Sequence, residues 1–312
     1  MAPFAFVFPG QGSQSVGMLD AWGGHPAVAA ALTEASDALG EDLARLIREG
    51  PKEALELTTN TQPVMLAAGV ACYRAWLHET GLQPAVVAGH SLGEYAALVA
   101  AGALTLAQAM PLVRLRAQAM QRAVPVGEGA MAAILGLDAE AVRTVCAEVE
   151  ARVGQVVSAA NFNDPKQTVI SGAKAAVDAA CEALKAAGAK RALPLAVSAP
   201  FHCALMKPAA EALKPALAQT ALAVPTIDVI NNIDVQAPRQ VDAIRDALYR
   251  QAFGPVRWVE TIQAMRARGV GAIIECGPGK VLSGMVKRID ADAKTTTVLD
   301  PASLAQAKEM LA

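Results

Sequence analysis

Ala85-Val86-Val87-Ala88 is a short apolar run that breaks into Gly89-His90-Ser91-Leu92-Gly93, after which residues 92–101 continue with helical spacing. A buried strand that turns through G-x-S-x-G into a helix leaves few folds open. The small residues on either side of the serine let strand and helix approach closely, and the turn pushes the Ser91 hydroxyl out at the carboxyl end of a sheet. The Leu92 amide then sits at a helix N-terminus, where it can donate to a developing oxyanion. The competing reading is a glycine turn that matches the pattern by coincidence.

The surrounding chain repeats strand and helix. Phe4–Phe8 is a second apolar run, closed by Pro9-Gly10, and helical spacing follows it through Leu46. Pro63 in Thr61-Gln62-Pro63 suits the first turn of a helix over residues 61–78. Residues 106–124 read as another helix. Further on, residues 204–218, 241–250 and 259–268 are helical, residues 227–230 form an apolar run, and residues 271–275 are a buried strand entering Cys276-Gly277-Pro278-Gly279. Strands alternating with helices predict an α/β fold with a mostly parallel, hydrolase-like sheet covered by helices on both faces.

Between these parts the order changes. After the linker-like Val124-Pro125-Val126-Gly127-Glu128-Gly129, strands are expected at 130–135, 155–160, 168–171 and 191–197. Helices are expected from the Asp138 cap to 149 and over 173–187. This β-α-β-β-α-β order is ferredoxin-like. The expected division is a large catalytic domain, residues 1–128 and 198–312, with a small inserted domain at 129–197.

A serine needs a base, and the chain has four histidines: His25, His78, His90 and His202. His90 adjoins Ser91 and points to the opposite face of an extended segment, so it packs under the turn. His25 and His78 fall at helix ends and are expected in solvent. His202, on a loop held by Pro200, is the best remaining partner, the alternative being a structural histidine. Hydrolases place an acid between serine and histidine in chain order. The aspartates in that interval, Asp138, Asp164 and Asp178, all lie in the inserted segment, so no carboxylate orienter is evident among them.

Several motifs occur in order: Gly10-Gln11-Gly12, Gly89-His90-Ser91-Leu92-Gly93-Glu94-Tyr95, Arg114-Leu115-Arg116, Asn161-Phe162-Asn163, Ala199-Pro200-Phe201-His202 and Glu275-Cys276-Gly277-Pro278-Gly279. Together, and nearly end to end, they resemble the malonyl-CoA:acyl carrier protein transacylases of type II fatty acid synthesis. The resemblance implies a Ser91 acyl-enzyme with His202 as base, and an oxyanion hole from Gln11 and the Leu92 amide. It implies a malonyl carboxylate on Arg116, Gln62 and Asn161 lining the pocket, and Gln251 orienting His202 through its main-chain carbonyl. Arg114 and Arg116 lie about 200° apart on a helix, so one alone can face the site, and the resemblance selects Arg116. An aromatic at Phe201 would favour malonyl over branched malonyl groups.

The implied reaction is a ping-pong exchange from malonyl-CoA to the phosphopantetheine thiol of acyl carrier protein, with no metal or redox cofactor. The rival readings are a polyketide or malonate-decarboxylase acyltransferase, a serine thioesterase or carboxylesterase, and a non-catalytic carrier-binding scaffold. Lys207, Lys214, Lys280, Lys287 and Arg288 are candidates for a basic rim facing an acidic carrier.

Composition narrows the rest. With 27 basic and 29 acidic residues the net charge is −2, which argues against a nucleic-acid partner. Five widely spaced cysteines without C-x-x-C argue against a disulfide framework or zinc site and suit a reducing cytoplasm. Residues 95–113 carry no charge but are interrupted by Gly102, Thr105, Gln108 and Pro111, so they read as buried helices. The N-terminus shows no basic leader. A cytoplasmic monomer is expected. Gly10-Gln11-Gly12-Ser13-Gln14-Ser15 lacks the third glycine of a dinucleotide loop.

Overall fold

The computed structural model describes residues 2–312. Its larger sheet is built around β1 (Phe4–Phe8), whose five residues are all buried. Alternation along a strand sends neighbouring side chains to opposite faces. Phe4, Phe6 and Phe8 pack on one side against the long helix Thr58–Thr80, with Phe6 edge-on to Trp76 at 5.3 Å. Ala5 and Val7 face the other side, where their small size leaves room for Trp258, Ile262 and Met265 of helix Trp258–Ala267. Apolar residues on both faces of β1 are the signature of a strand at the centre of a parallel sheet.

β2 (Val86–Gly89) and β8 (Ala272–Cys276) flank β1, and β7 (Asp228–Ile230) and β9 (Lys294–Val298) close the edges, giving the order β7-β2-β1-β8-β9. Every pair is parallel. β1 and β2 end together, with Phe8 opposite Gly89. The Gly10 and Ser91 turns therefore emerge side by side at the carboxyl edge, the usual place for a site in such sheets.

The second sheet is formed by β3 (Gly129–Leu135), β4 (Val157–Asp164), β5 (Gln167–Ala173) and β6 (Arg191–Pro194). Its order, β4-β5-β3-β6, with antiparallel neighbours throughout, is the ferredoxin-like arrangement. Helices Ala139–Val153 and Lys174–Ala186 cover it around Val142, Cys146, Val177 and Leu184. Asp138 caps the first of these, accepting from the Ala141 N–H at 2.9 Å.

Some boundaries differ from the sequence reading. The long helix starts at Thr58, one turn early, which leaves Pro63 inside it. Proline has no N–H for the carbonyl four residues before it, and here that carbonyl, of Thr59, accepts instead from the Arg114 guanidinium. Arg114 also binds Asn60 and Glu41. β4 runs to Asp164 rather than stopping at 160, because its pairing with β5 continues to Asp164 opposite Gln167, and Asn161 is also bridged to Val256 outside the sheet. β6 ends at Pro194, short of 197. Helix Gly93–Ala100 and helix Leu106–Ala123 divide the uncharged stretch as expected, and no helix among the described residues is long and apolar enough to cross a membrane.

Candidate active site

The turn after β2 is as tight as its sequence demands. A Cβ on Gly89 would fall 1.8 Å from the Gly93 carbonyl carbon, and one on Gly93 would fall 2.1 Å from the Phe8 oxygen. Neither could be tolerated, since both obstacles are backbone. Ser91 between them has φ 54°, a left-handed conformation that costs a non-glycine residue about 1 kcal/mol. Asn232 meets much of that cost. Its Oδ1 accepts the Ser91 N–H at 2.7 Å and its Nδ2 donates to the Gly89 carbonyl at 2.7 Å.

Ser91 Oγ lies 2.6 Å from His202 Nε2, although 111 residues separate them. His202 Nδ1 is 3.1 Å from two main-chain oxygens, those of Gln251 and Gly254. Carbonyls only accept, so the proton sits on Nδ1 and Nε2 is left as the acceptor for the serine hydroxyl. Two carbonyls thus occupy the place of the acid in a hydrolase triad. His202 is 4% exposed, and burial, with the nearby Arg116 charge and His90, depresses its pKa to about 3. It is a neutral base that carries no standing charge.

Arg116 completes the centre. It comes from helix Leu106–Ala123, is 2% exposed, and its Nη2 donates to Ser91 Oγ at 3.2 Å. Nη1 donates to Gln62 Oε1 at 2.6 Å and Nη2 to Gln251 Oε1 at 3.0 Å. Burial works against its charge and lowers its pKa, while Tyr95 and Glu94 favour the cation. Among the described residues it forms no ion pair within 4.0 Å, and its Nε has no hydrogen-bond partner. A buried guanidinium surrounded by amide oxygens and a hydroxyl is a ready receptor for a carboxylate.

The remaining sequence candidates fall at graded distances from this centre. The Leu92 amide opens helix Gly93–Ala100, and among the described residues neither it nor the Gln11 amide donates to a protein acceptor. The Gln11 side chain turns away and donates to Thr58 Oγ1 at 3.1 Å, so only its main-chain N–H remains for an oxyanion. Phe201 is buried with Met120, Met131, Val169 and Ala210, where the second sheet meets helices Leu106–Ala123 and Lys207–Gln219. Asn161 is buried on β4 and bridged through its backbone to Val256, with no side-chain bond to Ser91, His202 or Arg116 among the described residues.

Asn163 is the β4 residue that reaches the turn, with its Oδ1 2.9 Å from His90 Nε2. His90 packs edge-on to Trp258, and burial lowers its pKa. His25 is not a solvated side chain. Its Nδ1 accepts the Ala27 N–H and its Nε2 lies 3.0 Å from Glu79, so it caps helix Pro26–Leu39. Of the proposed rim, Arg288 is committed to Asp164 at 2.6 Å and Lys214 rests over Tyr249. Lys207, Lys280 and Lys287 remain exposed.

Three participants were given no role from the sequence: Asn232, which no motif contains, and Asn163 and Glu94, which stand only as members of their motifs. Glu94 is 2% exposed. Its Oε2 accepts the Asn232 N–H at 2.9 Å and Gln251 Nε2 at 3.1 Å, and Gln251 Nε2 also donates to the Ser91 carbonyl at 2.9 Å. Burial pushes the Glu94 carboxyl up to about 7, against the pull of those two donors and of Arg116. Glu94 is the only charged residue in positions 89–113, and that isolation was the available signal.

Residues 5–301 match the family described as Acyl transferase domain. A malonyl CoA-acyl carrier protein transacylase of Haemophilus influenzae is 54% identical over 313 residues, spanning 100% of each chain. The crystal structure of an acyl-carrier-protein S-malonyltransferase from Burkholderia pseudomallei is 60% identical, with a TM-score of 0.96 over 98% of this chain and 99% of that one. A malonyl-transacylase solved in complex with its holo type II PKS acyl-carrier protein is 51% identical, with a TM-score of 0.96 over 99% of this chain and 100% of that one.

Proposed function

Because the chain belongs to the acyl transferase domain family, we propose that it carries malonyl groups from malonyl-CoA to the phosphopantetheine thiol of an acyl carrier protein. The observation that carries this reading is Arg116, a buried cation that forms no ion pair within 4.0 Å among the described residues, 3.2 Å from a serine hydroxyl that is itself 2.6 Å from a neutral histidine. An acyl group ending in a carboxylate supplies the missing charge and, held there, presents its thioester to Ser91.

In the first half-reaction His202 Nε2 takes the hydroxyl proton as Ser91 Oγ adds to the thioester carbonyl. The oxyanion forms against the Leu92 and Gln11 main-chain N–H groups. The C–S bond then breaks, and the CoA thiolate leaves with the proton from His202. In the second half the carrier thiol gives its proton to His202 and attacks the malonyl ester, and Ser91 departs with that proton. No electrons change hands, so the scheme needs no redox group. A thiolate leaves readily, which matches a histidine oriented by carbonyls instead of a carboxylate. Burial is the main cause that holds His202 down and the Arg116 charge the next; malonyl bound to Arg116 cancels the second, so the base strengthens when the proper acyl group is in place.

We assign residues 129–197 to an inserted domain that walls one side of the cleft, and the cytoplasm as the place of action. The exposed Lys207, Lys280 and Lys287 are the rim offered to an acidic carrier. The deciding experiment is intact-mass measurement after mixing with malonyl-CoA, followed by addition of a holo carrier. A malonyl ester on Ser91 that persists in water and moves to the carrier supports the reading. Free malonate released without an acceptor supports a hydrolase, and no adduct supports a scaffold. Swapping fatty-acid for polyketide carriers in the second step identifies the acceptor.

A further inference from the structure

We propose that Glu94 is a positioning residue whose negative charge, relayed through the Gln251 side-chain amide, sets how strongly Arg116 holds the acyl carboxylate and how basic His202 is. This deepens the reading above and rests on it. The geometry is a chain of three groups. Arg116 Nη2 donates to Gln251 Oε1 at 3.0 Å, and Gln251 Nε2 donates to Glu94 Oε2 at 3.1 Å. A cation at one end and an anion at the other fix the amide in a single orientation. The same glutamine offers its main-chain oxygen to His202. Through the Asn232 N–H, Glu94 also steadies the residue that holds the Ser91 N–H and the Gly89 carbonyl. One carboxylate thereby touches the supports of nucleophile, base and acyl receptor, and none of the reacting atoms.

The bonds alone do not require a charge, because a glutamine oxygen at position 94 could accept from both donors. Glu94 has no solvent to relieve it. The space beside it, walled by Leu98, Val229 and Ile244, is a cavity of about 10 Å³, room for about one water at most. Keeping a carboxylate there costs stability, as its raised pKa shows. What the charge supplies, and an amide does not, is partial compensation of Arg116. With Glu94 ionised, Arg116 is tempered, so the malonyl group is held loosely enough to leave and His202 is less depressed.

The test uses Ser91→Ala as the background, so that binding is read without turnover. Calorimetry compares malonyl-CoA and acetyl-CoA on Ser91→Ala and on Ser91→Ala/Glu94→Gln. The expected result is malonyl-CoA tightened by on the order of tenfold in the double variant, with acetyl-CoA unchanged. In the Glu94→Gln single variant, single-turnover acylation slows for both thioesters. A merely structural role would leave the malonyl-to-acetyl binding ratio where it was, and that result overturns the assignment.

If Glu94→Gln does not fold, the Ser91→Ala protein decides alone. Its malonyl-to-acetyl binding ratio should rise as pH falls from 8 to 6 and Glu94 takes up a proton. The titratable and charged groups near Glu94 are Arg116, Tyr95 and Asp234 with its partner Arg250, with His202 beyond Gln251. Asp234 is held low by Arg250, Tyr95 is pushed up to about 12 and His202 sits at about 3, so none of these crosses the interval. A flat ratio refutes the proposal. If malonyl is not the accepted group, wild type forms no malonyl ester and Ser91→Ala prefers neither thioester. If only the Glu94 assignment fails, wild type acylates normally and the variants bind alike.

Discussion

Replacing Arg116 by methionine removes the guanidinium while keeping an unbranched side chain of similar reach. Arg116 is 2% exposed and makes three hydrogen bonds, at 2.6, 3.0 and 3.2 Å, to Gln62, Gln251 and Ser91. A malonyl carboxylate bound there pairs with a desolvated cation. Removing one partner of such a pair costs roughly 2–5 kcal/mol, which is about 30- to 4,000-fold at 1.4 kcal/mol per decade. The loss falls on malonyl alone, because an acetyl group has no carboxylate to strand. Acetyl transfer should hold or rise, since the nearby positive charge is one cause of the depressed His202 pKa. The assay is stopped-flow acylation of Ser91 with each thioester, reported as the ratio of kcat/KM values. Equal losses on both would mean that Arg116 supports the serine and does not recognise the acyl group, and the reasoning would fail.

The other predictions concern the scaffold of the site. Ser91→Ala should form no adduct, and Ser91→Gly should melt above it by about 1 kcal/mol of stability, because φ 54° suits glycine; equal melting temperatures would show the turn unstrained. Gly93→Ala should fail to fold or yield inactive protein, since its Cβ would lie 2.1 Å from the Phe8 oxygen, and a soluble active variant would contradict the packing. His202 has a folded pKa of about 3, below its unfolded value, so the unfolded state binds the extra proton and stability falls as pH drops below about 6.5. His202→Asn should flatten the urea-midpoint profile between pH 4 and 6 by about one proton, ~1.4 kcal/mol per pH unit. Glu94 has the opposite sign. Its folded pKa of about 7 lies above the unfolded one, so its contribution is full below about pH 4.5 and lost as pH rises through 7. Glu94→Gln should therefore gain on wild type with rising pH, by roughly 3 kcal/mol at most above pH 8.

The sequence was most informative where periodicity and punctuation coincide. Phe4–Phe8 and the Gly89–Gly93 turn could be placed because apolar runs ended in glycine, and the alternating elements predicted both sheets. β9, Lys-Thr-Thr-Thr-Val, went unnoticed because an edge strand has little apolar content to announce it. The start of the long helix was misplaced because Pro63 is tolerated there only by an arginine from another helix, a contact no local rule contains. His202 could be found by elimination among four histidines. Of its two carbonyl acceptors the resemblance pointed to Gln251, but Gly254 could not be read from residue types, because every residue has a carbonyl. Glu94 was passed over because only the aspartates between Ser91 and His202 were weighed as orienters, whereas it reaches the histidine one residue removed, through Gln251.

The bonding of β4 to the segment that joins helix Val241–Gln251 to helix Trp258–Ala267 has a practical corollary for anyone building chimaeras. Val256 donates to the Ala160 carbonyl at 2.8 Å and accepts from the Phe162 N–H at 2.9 Å, two positions after the Gly254 oxygen that His202 uses. A graft that exchanged residues 129–197 between relatives would tug on the peptide that aims the imidazole. Recombination points chosen to alter acyl preference should therefore carry residues 254–257 along with the transplanted sheet.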